Sequence, residues 1–392
     1  MVKKLAIITT HPIQYNAPLF ELLTKRNLIS LKVFYTWGET AKSSKYDPDF
    51  DLNITWDIPL LSNYDYVFVK NISSRTGSHH FLGIVNPDLL NIVEEFRPDA
   101  ILVYGWAFHS HFKLIRHFKN KIPVFFRGDS TLLDHVNPLK KLLKKLILSF
   151  VYRRIDYALY AGQSNYDYFR FSGVPDRALI FAPHAIDNRR FMDVSDVKLQ
   201  SSLEWRNRLG IAFNEFVFLY CGKFTEKKNI LFLIDAFKLA GFTHQVHLVL
   251  VGNGPDESKI VSSIKSESNI HHIPFQNQSA MPSIYHMADV YVLPSKGPAE
   301  TWGLSVNEAM AAGKPVLVSN KSGAAYDLVK DSINGYIFNP TDLNDLSQKL
   351  QLIYSRKNDI DFMKQASKAI INDYSLEKLA EVVENVVIYQ LN

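Results

Sequence analysis

Cysteine occurs once in the 392 residues, as Cys221 in the apolar run FVFLYCG. No disulfide framework can therefore brace the chain, and a reducing compartment is the simpler expectation. Long apolar runs are missing as well. No stretch reaches the ~18 residues that a membrane-spanning helix requires, so none is expected. The start, MVKKLAIITTHPIQY, places two lysines before only a short apolar run and no small-residue cleavage site, and reads as a first strand. Charge of one sign is scarce: 44 basic and 39 acidic residues leave +5, too little to imply a nucleic-acid partner. G-x-G-x-x-G and G-x-x-x-x-G-K-[ST] do not occur, which removes the best support for a dinucleotide or P-loop site. Short internal repeats and low-complexity tracts are lacking too.

What is present is an ordinary globular composition, 47% hydrophobic and 21% charged. The length predicts two domains of roughly 100–200 residues each. Short β-branched and aromatic runs alternate with helix-length segments in both halves, the pattern of parallel sheets built from strand–helix–strand units. In the first half the strands read KLAIITT, SLKVFYTW, AILVYGW, IPVFFRG and YALYAG. In the second they read FVFLYCG, HLVLVGNG, IHHIPF, VYVLPS, PVLVSN and GYIF. Helices fall between them, for example over 229–240, 281–288, 304–312 and 342–355. The fold class is α/β, with two doubly wound parallel-sheet domains. The alternation breaks near 186–200, which gives an N-terminal domain of 1–190 and a C-terminal domain of 191–372. A last helix in 373–392 could cross back to the first domain. Residues 38–80 depart from the pattern and read as a hairpin-like insertion that would shape a cleft rim.

Three stretches carry chemistry. In AETWGLSVNEAM, Glu300 stands after the strand VYVLPS and Glu308 lies in the first turns of a helix that Gly313 and Pro315 stop. Free amides at that helix start, around Gly303 and Leu304, suit an anion. The two carboxylates would repel a phosphate but can accept hydrogen bonds from paired sugar hydroxyls. Ordinary surface acids are the competing reading. In LYCGKFTEKKN, Lys223 and Lys228 follow a strand end and Gly222, where two ammonium groups could neutralise a diphosphate leaving group; a solvated basic turn is the alternative, with Lys227 a bystander. In LVLVGNGPDES, Gly252, Asn253 and Gly254 form a tight turn that lets a ligand approach the backbone.

These stretches together resemble glycosyltransferase family 4. ETWGLSVNEAMAAGKPVLVSN is similar to that family's E-x7-E signature, GKFTEKKN to its phosphate loop, VGNGP to its VG-GP turn, SGAAYDLVKDSINGYIFNP to its GG-x-x-E segment, and PHAIDNRRF to its interdomain P-N-G-V-D run. The resemblance spans the C-terminal half in the right order. It implies a GT-B architecture of two facing Rossmann-like domains, and sugar transfer from a nucleotide-diphosphate sugar with retention at the anomeric carbon. UDP is favoured over GDP. By that resemblance Glu300, Lys223 and Lys228 are the catalytic group, Glu300 on the donor sugar and the lysines on the diphosphate. Glu308 would read the ribose, and Gly222, Asn253, Thr301, Trp302, Gly303 and Leu304 would complete the donor site. No metal or other cofactor is expected.

Departures from the pattern are Lys223 for arginine, Asp327 for glutamate, His184 and Ala185 for asparagine and glycine, and the inserted KGPA before Glu300. HPIQY, WDIPLL and RGDS in the first half resemble a subgroup of the same family, placing His11, Arg127 and Asp129 on the acceptor side. For His11, a satisfied histidine at a strand end is an equal alternative. The acceptor would be a glycan or lipid-linked hydroxyl, as in cell-surface polysaccharide synthesis. A nucleotide-sugar epimerase and a non-catalytic binding protein are the rival functions.

DPDFD at 47–51 mimics a D-x-D metal motif but lies in the insertion and reads as turn chemistry. HSH at 109–111 and the pair His271, His272 read as structural. NPLKKLLKKLILSFVYRR at 137–154 is a basic amphipathic helix, either packed with a solvated basic face or in peripheral contact with an anionic membrane on the cytoplasmic side.

Overall fold

A computed structural model describes residues 2–38, 45–134, 137–193 and 195–389. The chain divides into two compact units. One holds residues 1–44, 59–184 and 376–392, the other residues 45–58 and 185–375.

The first unit is built on a seven-stranded sheet of order β5-β2-β1-β6-β7-β8-β9, every pairing parallel. Its strands are β1 (Lys4–Thr9), β2 (Ser30–Tyr35), β5 (Tyr66–Phe68), β6 (Ala100–Tyr104), β7 (Val124–Arg127), β8 (Tyr157–Tyr160) and β9 (Leu179–Phe181). Parallel strands are covered on both faces, so they are apolar without alternation. Leu5 through Ile8 and Ala100 through Val103 accordingly lie in the core. The helix Leu376–Tyr389 belongs to this unit and packs on Ala17–Arg26. There the buried Glu384 carboxylate accepts from Arg26 Nε at 2.8 and 2.9 Å, with Nη2 at 2.8 Å.

The second unit carries a six-stranded, all-parallel sheet of order β12-β11-β10-β13-β14-β15. These strands are β10 (Phe216–Cys221), β11 (Val246–Val251), β12 (Ile270–Ile273), β13 (Val290–Leu293), β14 (Val316–Ser319) and β15 (Gly335–Phe338). The strand order leaves β10 in both directions, towards β11 on one side and β13 on the other. Loops following β10 and β13 therefore part at this point, and ligands in doubly wound sheets bind there.

Residues 38–80 are not a single hairpin. An antiparallel hairpin is confined to β3 (Lys45–Asp47) and β4 (Leu52–Ile54), whereas β5 joins the first sheet as a parallel edge strand. The division has a packing cause: Phe50 and Trp56 set their rings against Phe275 of the second unit at 4.9 and 6.5 Å, while Tyr66 and Phe68 pack on Tyr35. The first half also has the strand β9, which its short sequence LIF did not announce. Among the described residues no helix is long and apolar enough to cross a membrane.

His111 explains the HSH motif. Its Nδ1–H donates to Gly105 O at 2.8 Å and Nε2 accepts from Thr36 Oγ1 at 2.8 Å, so the buried ring bridges two strand ends. Burial holds it in the neutral form, with a pKa lowered to about 4.

The Arg26–Glu384 pair should be what fastens the last helix to the first unit. Arg26→Leu leaves a buried carboxylate unpaired and is expected to cost ~2–3 kcal/mol in urea unfolding, below the figure for a fully buried pair because Arg26 is partly solvated. Adding Glu384→Leu should restore most of that loss, since the uncompensated charge is then gone.

Candidate active site

The second unit's sheet brings the predicted donor residues to one end. β10 finishes at Cys221, and the chain turns through Gly222 and Lys223 into a short 3-10 turn, Glu226–Lys228, before the helix Ile230–Leu239. β13 finishes at Leu293, and residues 294–303 lead to the helix Leu304–Ala311. A backbone bond from Lys296 N to Lys227 O, 2.9 Å, ties the two loops together. Lys228 and Glu300, 72 residues apart in sequence, meet across them: Lys228 Nζ donates to Glu300 Oε2 at 2.5 Å. Ser295 Oγ donates to the same oxygen at 2.8 Å. Glu300 is only 9% exposed. A carboxylate so enclosed needs its ammonium partner, because burial penalises an unpaired charge by several kcal/mol.

Glu308 lies on the second turn of the following helix and is buried, accepting from Tyr285 OH at 2.8 Å. Burial, and then the Glu308 charge, push the Tyr285 hydroxyl well above its ordinary pKa, so it stays a donor. Ordinary surface acids are thus excluded for both glutamates. The Gly303 backbone caps this helix at φ +98°, a left-handed conformation that other residues seldom adopt. A Cβ there would also lie 2.7 Å from Leu293 Cδ2 and 2.9 Å from Ser322 Oγ. The helix therefore starts in contact with the strand end, and its first amides, from Leu304 on, have no carbonyl one turn earlier within the helix.

The rest of the Thr301–Trp302 loop is held rigid. Trp302 is buried, its ring N–H donates to Asn307 Oδ1 at 2.8 Å, and its carbonyl accepts from Ala324 N at 3.0 Å and from the Ser322 hydroxyl. Thr301 O sits so close to Gly323 that a Cβ there would fall 2.0 Å away. In the VGNGP turn, a Cβ at Gly252 would lie 1.9 Å from Gly222 O, so the turns after β10 and β11 touch through backbone alone. The Asn253 amide donates to Glu257 Oε2 at 2.6 Å and accepts from Phe275 N beyond β12. Cys221 is buried in the strand end, and burial raises its thiol pKa well above the usual range, leaving it a core residue rather than a nucleophile.

Lys223 is the residue whose surroundings the sequence reading missed. Its Nζ donates to Asp47 Oδ1 and Oδ2 at 3.0 and 3.1 Å and to Asp49 Oδ2 at 3.1 Å. Asp47 also forms the expected turn, accepting from Asp49 N at 2.9 Å and Phe50 N at 3.2 Å. The DPDFD run is therefore both a turn and a carboxylate clamp on a lysine 176 residues away. Nothing in its local spacing signals that partner. Hairpin docking supplies it, helped by Asp57 accepting from Ser279 N at 3.1 Å and Asn277 Nδ2 donating to Thr55 O at 2.7 Å.

The acceptor-side candidates all lie in the first unit, at carboxyl ends of strands. His11 follows β1, with its Nδ1 2.9 Å from Thr10 Oγ1 and its ring edge-on to Trp37 at 5.2 Å. Arg127 closes β7 and is buried; it donates to Ala182 O and Pro183 O, both at 2.9 Å. Those bonds anchor the segment leading to His184, whose Nε2 is 4.0 Å from Asp129 Oδ2. Burial and the Arg127 charge lower the His184 pKa to about 4. Arg127 and Asp129 thus share one neighbourhood, while His11 lies two strands away in the sheet order.

Residues 201–372 match the family described as Glycosyl transferases group 1. An uncharacterized glycosyltransferase of Methanocaldococcus jannaschii is 27% identical over 192 residues, covering 48% of each chain. The lipopolysaccharide 1,2-N-acetylglucosaminetransferase of Salmonella typhimurium is 29% identical over 191 residues, 46% of this chain and 50% of that one. The chain thus spans about half the length of the curated relatives it matches. Among solved structures, Anabaena Alr3699/HepE in complex with UDP and glucose superposes with a TM-score of 0.71 over 98% of this chain and 99% of its own, at 16% identity. The fold is the one shared with the solved GT-B glycosyltransferases, and residues 201–372 are similar to the glycosyl transferases group 1 family.

Proposed function

We propose that this protein is a retaining, metal-independent glycosyltransferase of family 4 that moves a sugar from a nucleotide-diphosphate sugar to a hydroxyl of a glycan or lipid-linked acceptor. A UDP-sugar is the favoured donor, and the setting is cell-surface polysaccharide or glycoconjugate synthesis on the cytoplasmic side. The observation that carries this reading is the Lys228–Glu300 contact where the β10 and β13 loops part, with Glu308 one helix turn beyond. The UDP and glucose held by the Anabaena protein of the same fold favour a uridine donor.

In this reading the Glu300 carboxylate, held in place by Ser295, accepts from donor-sugar hydroxyls and fixes the sugar above its leaving group. Lys228 turns from Glu300 to the diphosphate, and with Lys223 and the helix start at Leu304 stabilises negative charge as the glycosidic bond breaks. Glu308 accepts from the ribose hydroxyls, with Tyr285 orienting it. The acceptor hydroxyl attacks from the face the diphosphate leaves, and a phosphate oxygen of the donor takes its proton, which gives retention without an enzymic nucleophile.

Glu300→Gln keeps the shape and loses the charge. It should lower kcat about 10²–10³-fold in protein that still folds, although the Lys228 ammonium loses its partner and the unfolding midpoint should fall; turnover within a factor of about two of wild type would remove Glu300 from the mechanism. UDP-sugars should raise thermal stability, by ~2.7 kcal/mol at a hundredfold excess over Kd, and GDP- or ADP-sugars less. No stabilisation by any of the three would overturn the donor-site assignment. Product analysis without acceptor separates transfer from epimerisation, since only an epimerase would alter the donor sugar alone.

The Asp47–Asp49 clamp bears on donor affinity. Its carboxylates occupy the Lys223 ammonium that the diphosphate would use, so donor binding must compete with them. The pair is partly solvated and worth at most ~1 kcal/mol. Asp47→Asn with Asp49→Asn should therefore lower the donor KM up to about fivefold with kcat little changed. A raised KM in steady-state assays would mean that the clamp aligns Lys223 rather than masking it.

A further inference from the structure

The helix Pro138–Tyr152 faces the wrong way for an ordinary packed helix. Leu139, Leu142, Leu143, Leu146, Ile147 and Phe150 recur at spacings of three and four and form one stripe. Packing would normally bury that stripe, yet these side chains are 48–78% exposed. The buried positions are Leu148, Val151 and Tyr152, on the opposite side of the helix. Lysines flank that inner side in the first turns. Lys141 and Lys145 stand over the Phe171 ring at 5.3 and 5.5 Å, and Lys144 over Tyr168 at 5.4 Å. Apolar residues thus point away from the protein and cations edge the seam beneath them. This inverts the packed arrangement with a solvated basic face.

The exposed ridge continues beyond the helix. Phe150 meets Phe112 of the helix His109–Phe118 at 6.3 Å, and Phe112 meets Phe81 at 6.3 Å. Phe81 and the adjacent Leu82 are 42% and 60% exposed. Cations border this end too: Arg154 lies 3.7 Å over the Phe150 ring and Arg116 5.9 Å over Phe112. Residues 137–154 contain no aspartate or glutamate. A contiguous apolar ridge edged by cations, with no acid on the helix, has the chemistry of the boundary between lipid headgroups and acyl chains. Pairing with a second copy would set two cationic borders against each other, which charge repulsion opposes.

We infer that the Leu139–Phe150 face and the Phe81–Leu82 turn form a docking surface for an anionic lipid bilayer, the apolar side chains entering the interface and the lysines and arginines meeting headgroup phosphates. This stands independently of the donor-site reading, because the residues concerned belong to the first unit and none is assigned to donor chemistry.

Cosedimentation of the full chain with sucrose-loaded vesicles tests it. Vesicles of phosphatidylcholine with about 30% phosphatidylglycerol should pellet the protein, phosphatidylcholine alone should not, and high salt should release it. Changing Lys140, Lys141, Lys144 and Lys145 together to Gln should weaken binding at least about a hundredfold. The triple change Leu142→Ser, Leu143→Ser, Leu146→Ser should weaken it at least about tenfold, and since these side chains are solvent-exposed the thermal midpoint should hold. Failure of the wild-type chain to pellet with anionic vesicles at low salt would overturn the proposal. Equal binding to neutral vesicles with the lysine variant unaffected would do the same, as would a dimer in analytical ultracentrifugation that the leucine variant dissolves. A thermal shift with UDP-sugars but no vesicle binding would sink this inference alone.

Discussion

Parallel strands cannot be joined by tight turns, so each connection in residues 216–338 leaves the carboxyl end of a strand and returns by a helix over one face of the sheet. β10 sends its chain one way to β11, and β13 sends its chain the other way to β14, so the loops beyond Cys221 and Leu293 lead to opposite sides of the sheet. Lys228 and Glu300 meet across them, one from each loop, and the helix beginning at Leu304 opens beside them. β10 and β13, which lead into the two loops, are buried along their whole lengths.

Around the pair, the loops approach so closely that only glycine fits at three places. Gly252 against Gly222 O, Gly323 against Thr301 O and Gly303 against Leu293 are all places where a Cβ would overlap a neighbour. The turns at this end of the sheet thus approach one another closely at glycines. Lys223, Lys228, Glu300 and Glu308 are each engaged by another side chain: Asp47 and Asp49, each other, and Tyr285. A ligand binding there as proposed would exchange partners instead of filling unsatisfied valences, which would keep buried charges paired in both states.

The two faces of the basic helix show how differently the same periodicity can be used. Leucines at spacings of three and four read as a core stripe, since that is what such a stripe does in most soluble helices. Periodicity gives the angle between leucines and lysines but not which of them meets the protein. Here Leu148, Val151 and Tyr152 in the last turns are the residues that pack, and they fix the helix with its longer leucine stripe outward.

Much of this molecule was written in its sequence. All six strands of the second sheet, the helix after Gly303, and the assignment of Glu300, Glu308, Lys223 and Lys228 to one end of that sheet follow from apolar runs punctuated by glycine, because parallel strands must be apolar on both faces and turn where glycine permits. Local pattern also marked 38–80 as irregular. Only the tertiary structure decided that this segment divides, that Phe50 and Trp56 seat a hairpin on Phe275, and that Asp47 and Asp49 thereby close on Lys223. It alone turned Arg127 to the carbonyls of Ala182 and Pro183, gave β5 and β9 their edges, and set the Leu139–Phe150 stripe towards solvent. Those outcomes depend on contacts between residues far apart in the chain, and periods of two or 3.6 residues carry no record of them.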